Sequence, residues 1–251
     1  VFEEVIVTAE KRDESLQSVS QAVTAITDSE ISAKNITSFV DLSTIVPGVT
    51  VAKNEGYKTI ISIRGVGNET NQNAIAAPSV AYHMDGIFIA SPFSLQTDFI
   101  DVQRIEVLRG PQGTLFGQNS TGGAINVISN KPTTDELFTK ADITYGDYGM
   151  KQLRSSSNIP ISDNVSTKLS LSAMTREGFT ENLATGQDLD DAHNLSFRTD
   201  WMVDINDTTS LRIFGQYSSV DRNGAAIRGI DDPSPGMRKL SQNTISKQEL
   251  T

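Results

Sequence analysis

Five glycines and one proline fall within the fourteen residues from Gly110 to Gly123, a density that a phosphate-cradling loop would need. A Walker-type loop must end in Gly-Lys-Ser or Gly-Lys-Thr, and a dinucleotide loop needs G-x-G-x-x-G opening a helix behind a strand. Neither pattern occurs. Asp188, Asp190 and Asp191 could be part of a calcium loop, but the glycine and distal glutamate at the required offsets are missing, so a solvated acidic loop is expected. His83, one of only two histidines, has no converging set of ligands beside it and is expected to be an ordinary strand residue. Cysteine is absent, which removes disulfides, thiolate metal sites and cysteine nucleophiles together. No Ser/His/Asp grouping supplies a nucleophile with a base. These residue types call for no catalysis, no metal and no cofactor.

Composition narrows the partners. A net charge of -10 and a pI near 4.7 argue against nucleic acid, which wants a basic stripe. The 251 residues suffice for one large or two ordinary domains, and 37% hydrophobic content can bury a core. No apolar run approaches the roughly 18 residues of a membrane helix. A β-barrel would show no such run, because it crosses on strands of about ten alternating residues. No leader is visible at Val1, as expected of a mature chain.

The elements that hold the glycine stretch are apolar strands, Ile105 to Leu108 and Ala124 to Ile128. Gly113, Gly117, Gly122 and Gly123 mark places that need φ > 0 or very close backbone approach, which predicts a compact, shaped connector. Before it, Val19 to Ile26 is β-prone, and Thr27-Asp28-Ser29-Glu30 reads as a helix start with acids in its first turn. A second short helix is predicted over Ser38 to Ile45, stopped by Pro47-Gly48. Strands are predicted at Val49 to Ala52 and Thr59 to Arg64, with Ile60, Ile61 and Ile63 facing a core. Val80 to Ala90 reads as a hairpin turning at Asp85-Gly86. Phe88, Phe93 and Phe99 are expected to pack. At the N-terminus, Val5-Ile6-Val7-Thr8 is a β-prone run before a charged stretch, suited either to pairing with another chain's sheet edge or to an ordinary first strand.

Ile105-Glu106-Val107-Leu108-Arg109-Gly110-Pro111, then Leu115-Phe116-Gly117, then Gly122-Gly123-Ala124-Ile125-Asn126-Val127, resembles the plug core of TonB-dependent outer-membrane receptors. Asp41, Leu42, Pro47, Gly48 and Val49 resemble the family's D-L-x-x-x-x-P-G-V turn, and Val80 to Ala90 resembles its hairpin, with a tyrosine at Tyr82 ahead of the Asp85-Gly86 turn. One departure is Ser20, where many relatives carry proline. The resemblance implies that Glu4, Val5, Ile6, Val7, Thr8 and Ala9 form the TonB box. It also implies that Arg64 and Arg109 lock the plug to glutamates on the barrel wall, which would lie beyond Thr251. Such charges must be paired, because an uncompensated buried charge costs several kcal/mol. The amide-rich loop from Val66 to Ser79, with Asn68, Glu69, Asn71 and Asn73, would by resemblance touch the ligand. Amides donate and accept, so it could read hydroxyls, hydroxamates or amides, although a plain solvated loop fits as well.

After Pro132 the pattern becomes alternating. Leu137, Thr139, Ala141, Ile143 and Tyr145 oppose Lys140, Asp142 and Thr144; Val165, Leu169, Leu171 and Ala173 oppose Ser166, Lys168, Ser170 and Ser172. Leu195, Phe197, Trp201, Val203 and Ile205 oppose Ser196, Arg198, Asp200 and Asp204. Period two over such lengths means one apolar and one polar face per strand. Weaker strands are predicted at Met150 to Ile161 and Ser210 to Tyr217. Turns at Ser162-Asp163-Asn164 and Asn206-Asp207-Thr208 are tight, whereas Glu177 to His193 is long, which is the rim asymmetry of outer-membrane barrels. Tyr145, Trp201 and Tyr217 are expected near strand ends, as aromatic girdles. Plugged barrels have about 22 strands, and only five are predicted here.

The expected architecture is therefore an α+β plug domain followed by antiparallel transmembrane β-barrel strands, the N-terminal part of a plugged barrel. The expected division is residues 1–12 as TonB box and flexible N-terminus, 13–135 as plug, and 136–251 as the first barrel strands. By resemblance, the function is TonB-dependent import of an iron-siderophore or similar scarce ligand through the outer membrane of a Gram-negative bacterium. The partners would be TonB with its inner-membrane energising complex, a ligand such as a ferric siderophore, and outer-membrane lipid, with no nucleic acid. Three rivals are a TonB-dependent saccharide or cobalamin receptor, a passive porin or adhesin, and a β-rich hydrolase using the glycine loop as an oxyanion site. A receptor that also signals would carry an extra domain before the box.

Overall fold

The computed structural model describes residues 5–8, 11–12, 14–54, 58–67, 78–223, 239–240 and 248–250. The chain divides into two compact units at Asn130/Lys131.

In the first unit the strands are β1 (Ile6–Val7), β2 (Glu14–Ser15), β3 (Val23–Thr27), β4 (Val49–Asn54), β5 (Lys58–Ile63), β6 (Val80–Met84), β7 (Ile87–Phe88), β8 (Val102–Arg109) and β9 (Gly123–Ser129). Helices α1 (Asp28–Ala33), α2 (Leu42–Ile45) and α3 (Gly113–Phe116) and 3-10 turns at Phe39–Asp41 and Pro92–Gln96 complete it. A five-stranded sheet runs in the order β3-β8-β9-β6-β7, with β6 and β9 parallel and the other pairs antiparallel. Strands β4 and β5 form a separate pair, and so do β1 and β2.

Strand alternation gives the main sheet two apolar faces. Ile26, Ile105, Val107, Ile125 and Val127 share one core with Ile31, Phe39 and Leu42 from the helical segments. Ala81, Leu108, Phe116 and Ala124 form a second, smaller cluster with Val7 from the N-terminal segment. Helix α1 starts where the acids predicted it, with Thr27 and Glu30 reciprocally capping each other's backbone N–H. The predicted helix over Ser38 to Ile45 is split: Asp41 accepts from Thr37 and Ser38 and tightens the first turn to 3-10, and α2 follows.

The hairpin turns at Asp85 (φ 50) and Gly86 (φ 83), the two positive φ values of the expected tight turn. Gly117 and Gly123 have φ of 75 and 148, and a Cβ on Gly122 would meet the Val66 carbonyl oxygen at 2.8 Å. Gly113 departs from expectation. It begins α3 with open space around its Cα hydrogens and no positive φ. Of the predicted packing phenylalanines, Phe99 is buried in the first core and Phe88 packs on the second cluster; the side chain of Phe93 lies outside the described residues.

In the second unit, β10 (Phe138–Gly146), β11 (Met150–Ser162), β12 (Val165–Arg176), β13 (Thr180–Asn182), β14 (Gln187–Leu189), β15 (Ala192–Asn206), β16 (Thr209–Arg222), β17 (Lys239–Leu240) and β18 (Gln248–Leu250) follow one another. An antiparallel sheet runs β10-β11-β12-β15-β16-β18, and β14-β13-β17 form a small second sheet. The five predicted long strands are all present, and β15 and β16 are longer than their alternation suggested. For this reason Tyr217 sits inside its strand rather than near its end; Trp201 also lies inside β15, as it does within the predicted strand, while Tyr145 is the next-to-last residue of β10.

The stretch from Glu177 to His193 is also not a plain solvated loop. It folds into the β13–β14 hairpin, where Asp190 accepts from the Thr180 hydroxyl at 2.6 Å and Asp191 from the Asn223 N–H at 2.5 Å. A further tight turn, Asp147 to Gly149, shares its rim with that excursion.

Burial in this sheet is inverted relative to a soluble protein. Gln152, Ser156, Asn158, Ser166, Lys168, Ser170, Ser196, Arg198 and Asp200 are buried, while Ile143, Leu169, Leu195, Phe197, Trp201, Ile213 and Tyr217 are exposed. Part of the buried face is satisfied by its own partners: Asp200 accepts from Arg198 and Arg212, and Ser156 bonds Ser170, whereas the Ser166 and Ser172 hydroxyls are buried without one among the described residues. Among the described residues no helix is long and apolar enough to cross a membrane.

Candidate coupling site at the N-terminal segment

Residues 5–8 lie against the second face of the five-stranded sheet. Ile6 pairs with Ser15 and Val7 with Glu14, and Leu16 N–H donates to the Val5 carbonyl at 2.9 Å. The chain turns back through Lys11, whose φ of 61 lets its N–H reach the Thr8 carbonyl at 2.9 Å. The segment is thus neither a strand of the main sheet nor a free tail, but half of a small hairpin on its face. Val7 is fully buried among Ala81, Leu108, Phe116 and Ala124, a burial worth roughly 1.5–3 kcal/mol. Lys11 adds a cation over the Phe116 ring, 4.5 Å from its centroid.

At the end of this segment stands Glu106, with none of its side chain exposed. It is on β8 between Ile105 and Val107, which face the first core, so alternation turns its carboxylate to the opposite face. Thr8 N–H donates to Glu106 Oε1 at 2.7 Å, and Thr8 Oγ1 lies 3.1 and 3.2 Å from the two carboxylate oxygens. Arg104, two residues before Glu106 on the same face, donates Nε to Oε1 at 2.8 Å. Asn126, directly across from Glu106 on β9, donates Nδ2 to Oε2 at 3.3 Å. A buried carboxylate survives only if paired and hydrogen-bonded, and here part of that satisfaction comes from the N-terminal segment.

Across from Asn126 on β6, His83 is buried with Nδ1 unpartnered, its ring against Phe88 and Phe116. Burial, then the nearby Lys11 ammonium, hold its imidazole below the ordinary value. Tyr82, on the opposite face of β6, is raised by burial.

The other predicted site residues are not brought together. Arg64 is exposed at φ 53, with its N–H on the Gly48 carbonyl at 2.7 Å. Arg109 is half-buried and donates to Thr24 Oγ1 at 3.0 Å, while its Nε is buried without a partner. Among the described residues neither guanidinium has a carboxylate partner. Asn68, Glu69, Asn71 and Asn73 lie outside the described residues, as do Glu4 and Ala9 at the ends of the N-terminal segment. The residue that sequence reasoning quoted without giving a role is Glu106. Its signal was an acid inside an apolar strand run, which a fold can keep only by supplying donors.

The plug domain of TonB-dependent receptors matches residues 15–124. The pesticin receptor of Yersinia pestis is 32% identical over 193 residues, 73% of this chain and 27% of the relative. The chain belongs to the TonB-dependent receptor family. Two receptor structures share its fold: the ferric yersiniabactin uptake receptor of Yersinia pestis, with TM-score 0.76, 24% identity and coverage of 88% of this chain and 34% of that one, and the outer-membrane ferripyoverdine receptor of Pseudomonas aeruginosa, with TM-score 0.74, 18% identity and coverage of 98% and 33%. The chain spans about a quarter of the length of the curated relatives it matches. The inverted burial of the second unit now has its meaning in this receptor: an apolar face turned to outer-membrane lipid and a polar face turned away from it.

Proposed function

We propose that this receptor takes part in TonB-dependent import across the outer membrane, with the first unit as the gate and the strands after Lys131 as part of the wall. The relatives support a ferric siderophore as the ligand class, since the structures that share the fold include receptors for ferric yersiniabactin and ferripyoverdine. The observation that carries the reading is the N-terminal segment itself. Its backbone pairs through β-type hydrogen bonds, and among the described residues 5–8 only one side chain, Val7, is deeply buried, so a strand from a partner can replace its contacts. TonB is the proposed partner, drawing on residues 4–9, and Arg64 and Arg109 are proposed to meet barrel glutamates outside this chain. Arg109 Nε, buried and without an acceptor, supports that assignment.

The test is uptake of radio-iron bound to hydroxamate and catecholate siderophores. The full receptor is expressed in a strain lacking its own siderophore receptors, with and without a proton gradient. Uptake that disappears when the gradient is collapsed is expected. Gradient-independent uptake would assign the chain to passive barrels, and uptake only of corrinoids or oligosaccharides would replace the ligand class.

A further inference from the structure

We infer that Glu106 is the latch of the N-terminal segment and that it competes directly with the incoming partner strand. The inference rests on the reading of residues 4–9 as the segment offered to TonB, and adds the residue that controls the offer. In an antiparallel pair, backbone groups point alternately to the partner and to the open edge. Val5 presents its carbonyl to β2, as the Leu16 to Val5 bond shows, and Val7 follows by alternation, so Ile6 faces the other edge; Thr8, just past β1, turns its N–H to that edge while its carbonyl is held in the turn by Lys11. That outer edge is the one a new strand would use. Its Thr8 N–H is already taken, at 2.7 Å, by the Glu106 carboxylate.

The latch is built from more than one bond. Thr8 Oγ1 reaches both carboxylate oxygens, Arg104 Nη2 donates to Thr8 Oγ1 at 3.3 Å, and Asn126 Nδ2 lies 3.5 Å from the same hydroxyl. Arg104 and Asn126 thus touch Glu106 and Thr8 at once, and Asn126 leaves its Oδ1 buried without a donor. Glu106 lies at 0% exposure, so losing the Thr8 donors strips a buried charge of part of its solvation. The segment therefore stays docked until something in the plug weakens Glu106's hold, and an added strand cannot form the Thr8 bond before that release.

Cysteine is absent from these 251 residues, so in a full receptor with any cysteine elsewhere replaced by serine, Val7→Cys introduces a single thiol at a fully buried position of the segment. In the full receptor in outer-membrane vesicles, maleimide labelling of that thiol reads undocking. Thr8→Val and Glu106→Gln should each raise the labelling rate about tenfold, the size of a lost bond to a charged group. Together they should raise it by less than the product, because they remove the same interaction. Ile125→Cys, on the opposite face of the sheet, should stay unreactive throughout. If Glu106→Gln exposes it, the Thr8→Val arm decides alone. Unchanged labelling in Thr8→Val, or multiplied effects in the double variant, would overturn the latch.

A second readout is capture of the TonB periplasmic domain by receptor without siderophore, expected to increase in both latch variants. Increased labelling without capture leaves the latch standing and removes TonB as the partner. Unchanged labelling removes the latch, while the gradient test still decides import.

Discussion

The His83 and Phe116 rings meet edge to face, with centroids 5.3 Å apart and planes at 71°, and Lys11 from the N-terminal segment sits over the same Phe116 ring. His83 is therefore buried beside a cation, and both effects favour its neutral form. Its folded pKa is depressed, so the unfolded chain binds the proton more readily. The stability that neutral His83 contributes is full above the unfolded value of about 6.5 and is lost as pH falls from there toward the lowered folded value. The midpoint of plug unfolding, followed from pH 8 to pH 5 in roughly unit steps, should drop below that value. In His83→Phe the drop should be smaller. An unchanged pH profile in that variant would remove His83 as the cause.

Val7→Pro introduces a residue that cannot donate in the hairpin and cannot continue an added strand. Uptake should be abolished while ligand binding to intact cells is retained. Normal uptake would show that backbone pairing at residue 7 has no part in coupling.

Gly123 and Gly113 should respond oppositely to alanine. A Cβ at Gly123 would lie 2.2 Å from the Leu108 carbonyl oxygen, at φ 148, so Gly123→Ala should destabilise the plug by about 3 kcal/mol or more. Gly113 opens α3 with nothing within 4 Å, and Gly113→Ala should be neutral or gain up to about 1 kcal/mol. Denaturant unfolding curves of the two variants make the comparison.

Thr27→Ala removes the hydroxyl that accepts the Glu30 N–H and should cost about 1 kcal/mol of plug stability. Thr27→Ser should restore most of it. A loss that serine does not rescue would point to β3 packing instead of the cap.

Phe197→Arg places a charge on the exposed apolar face of β15, opposite Tyr217. It should lower folding stability in lipid vesicles by about 2–4 kcal/mol if that row lies near the bilayer midplane. A change near zero would put Phe197 close to the membrane surface.

Much of this receptor was written in local pattern. Alternation along Val165 to Thr175 and Leu195 to Ile205 foretold strands with one apolar face, because side chains on a pleated strand have a period of two whatever surrounds them. The helix start at Thr27 and the turn at Asp85-Gly86 were legible for the same reason: capping and positive φ are settled by neighbouring residues. Strand length was not legible. The ladder of β15 and β16 runs on through polar and irregular residues once a partner strand is in register, and this moved Tyr217 away from the strand end.

The acids from Asp188 to Asp191 looked solvated because their partners, Thr180 and Asn223, are remote or unremarkable in sequence. The docking of Thr8 on Glu106 spans 98 positions, and its two residues carry no mutual pattern. Only the fold, by putting β8 and β9 beneath the N-terminal hairpin, decides that a buried carboxylate completes its hydrogen bonding with the segment proposed to leave.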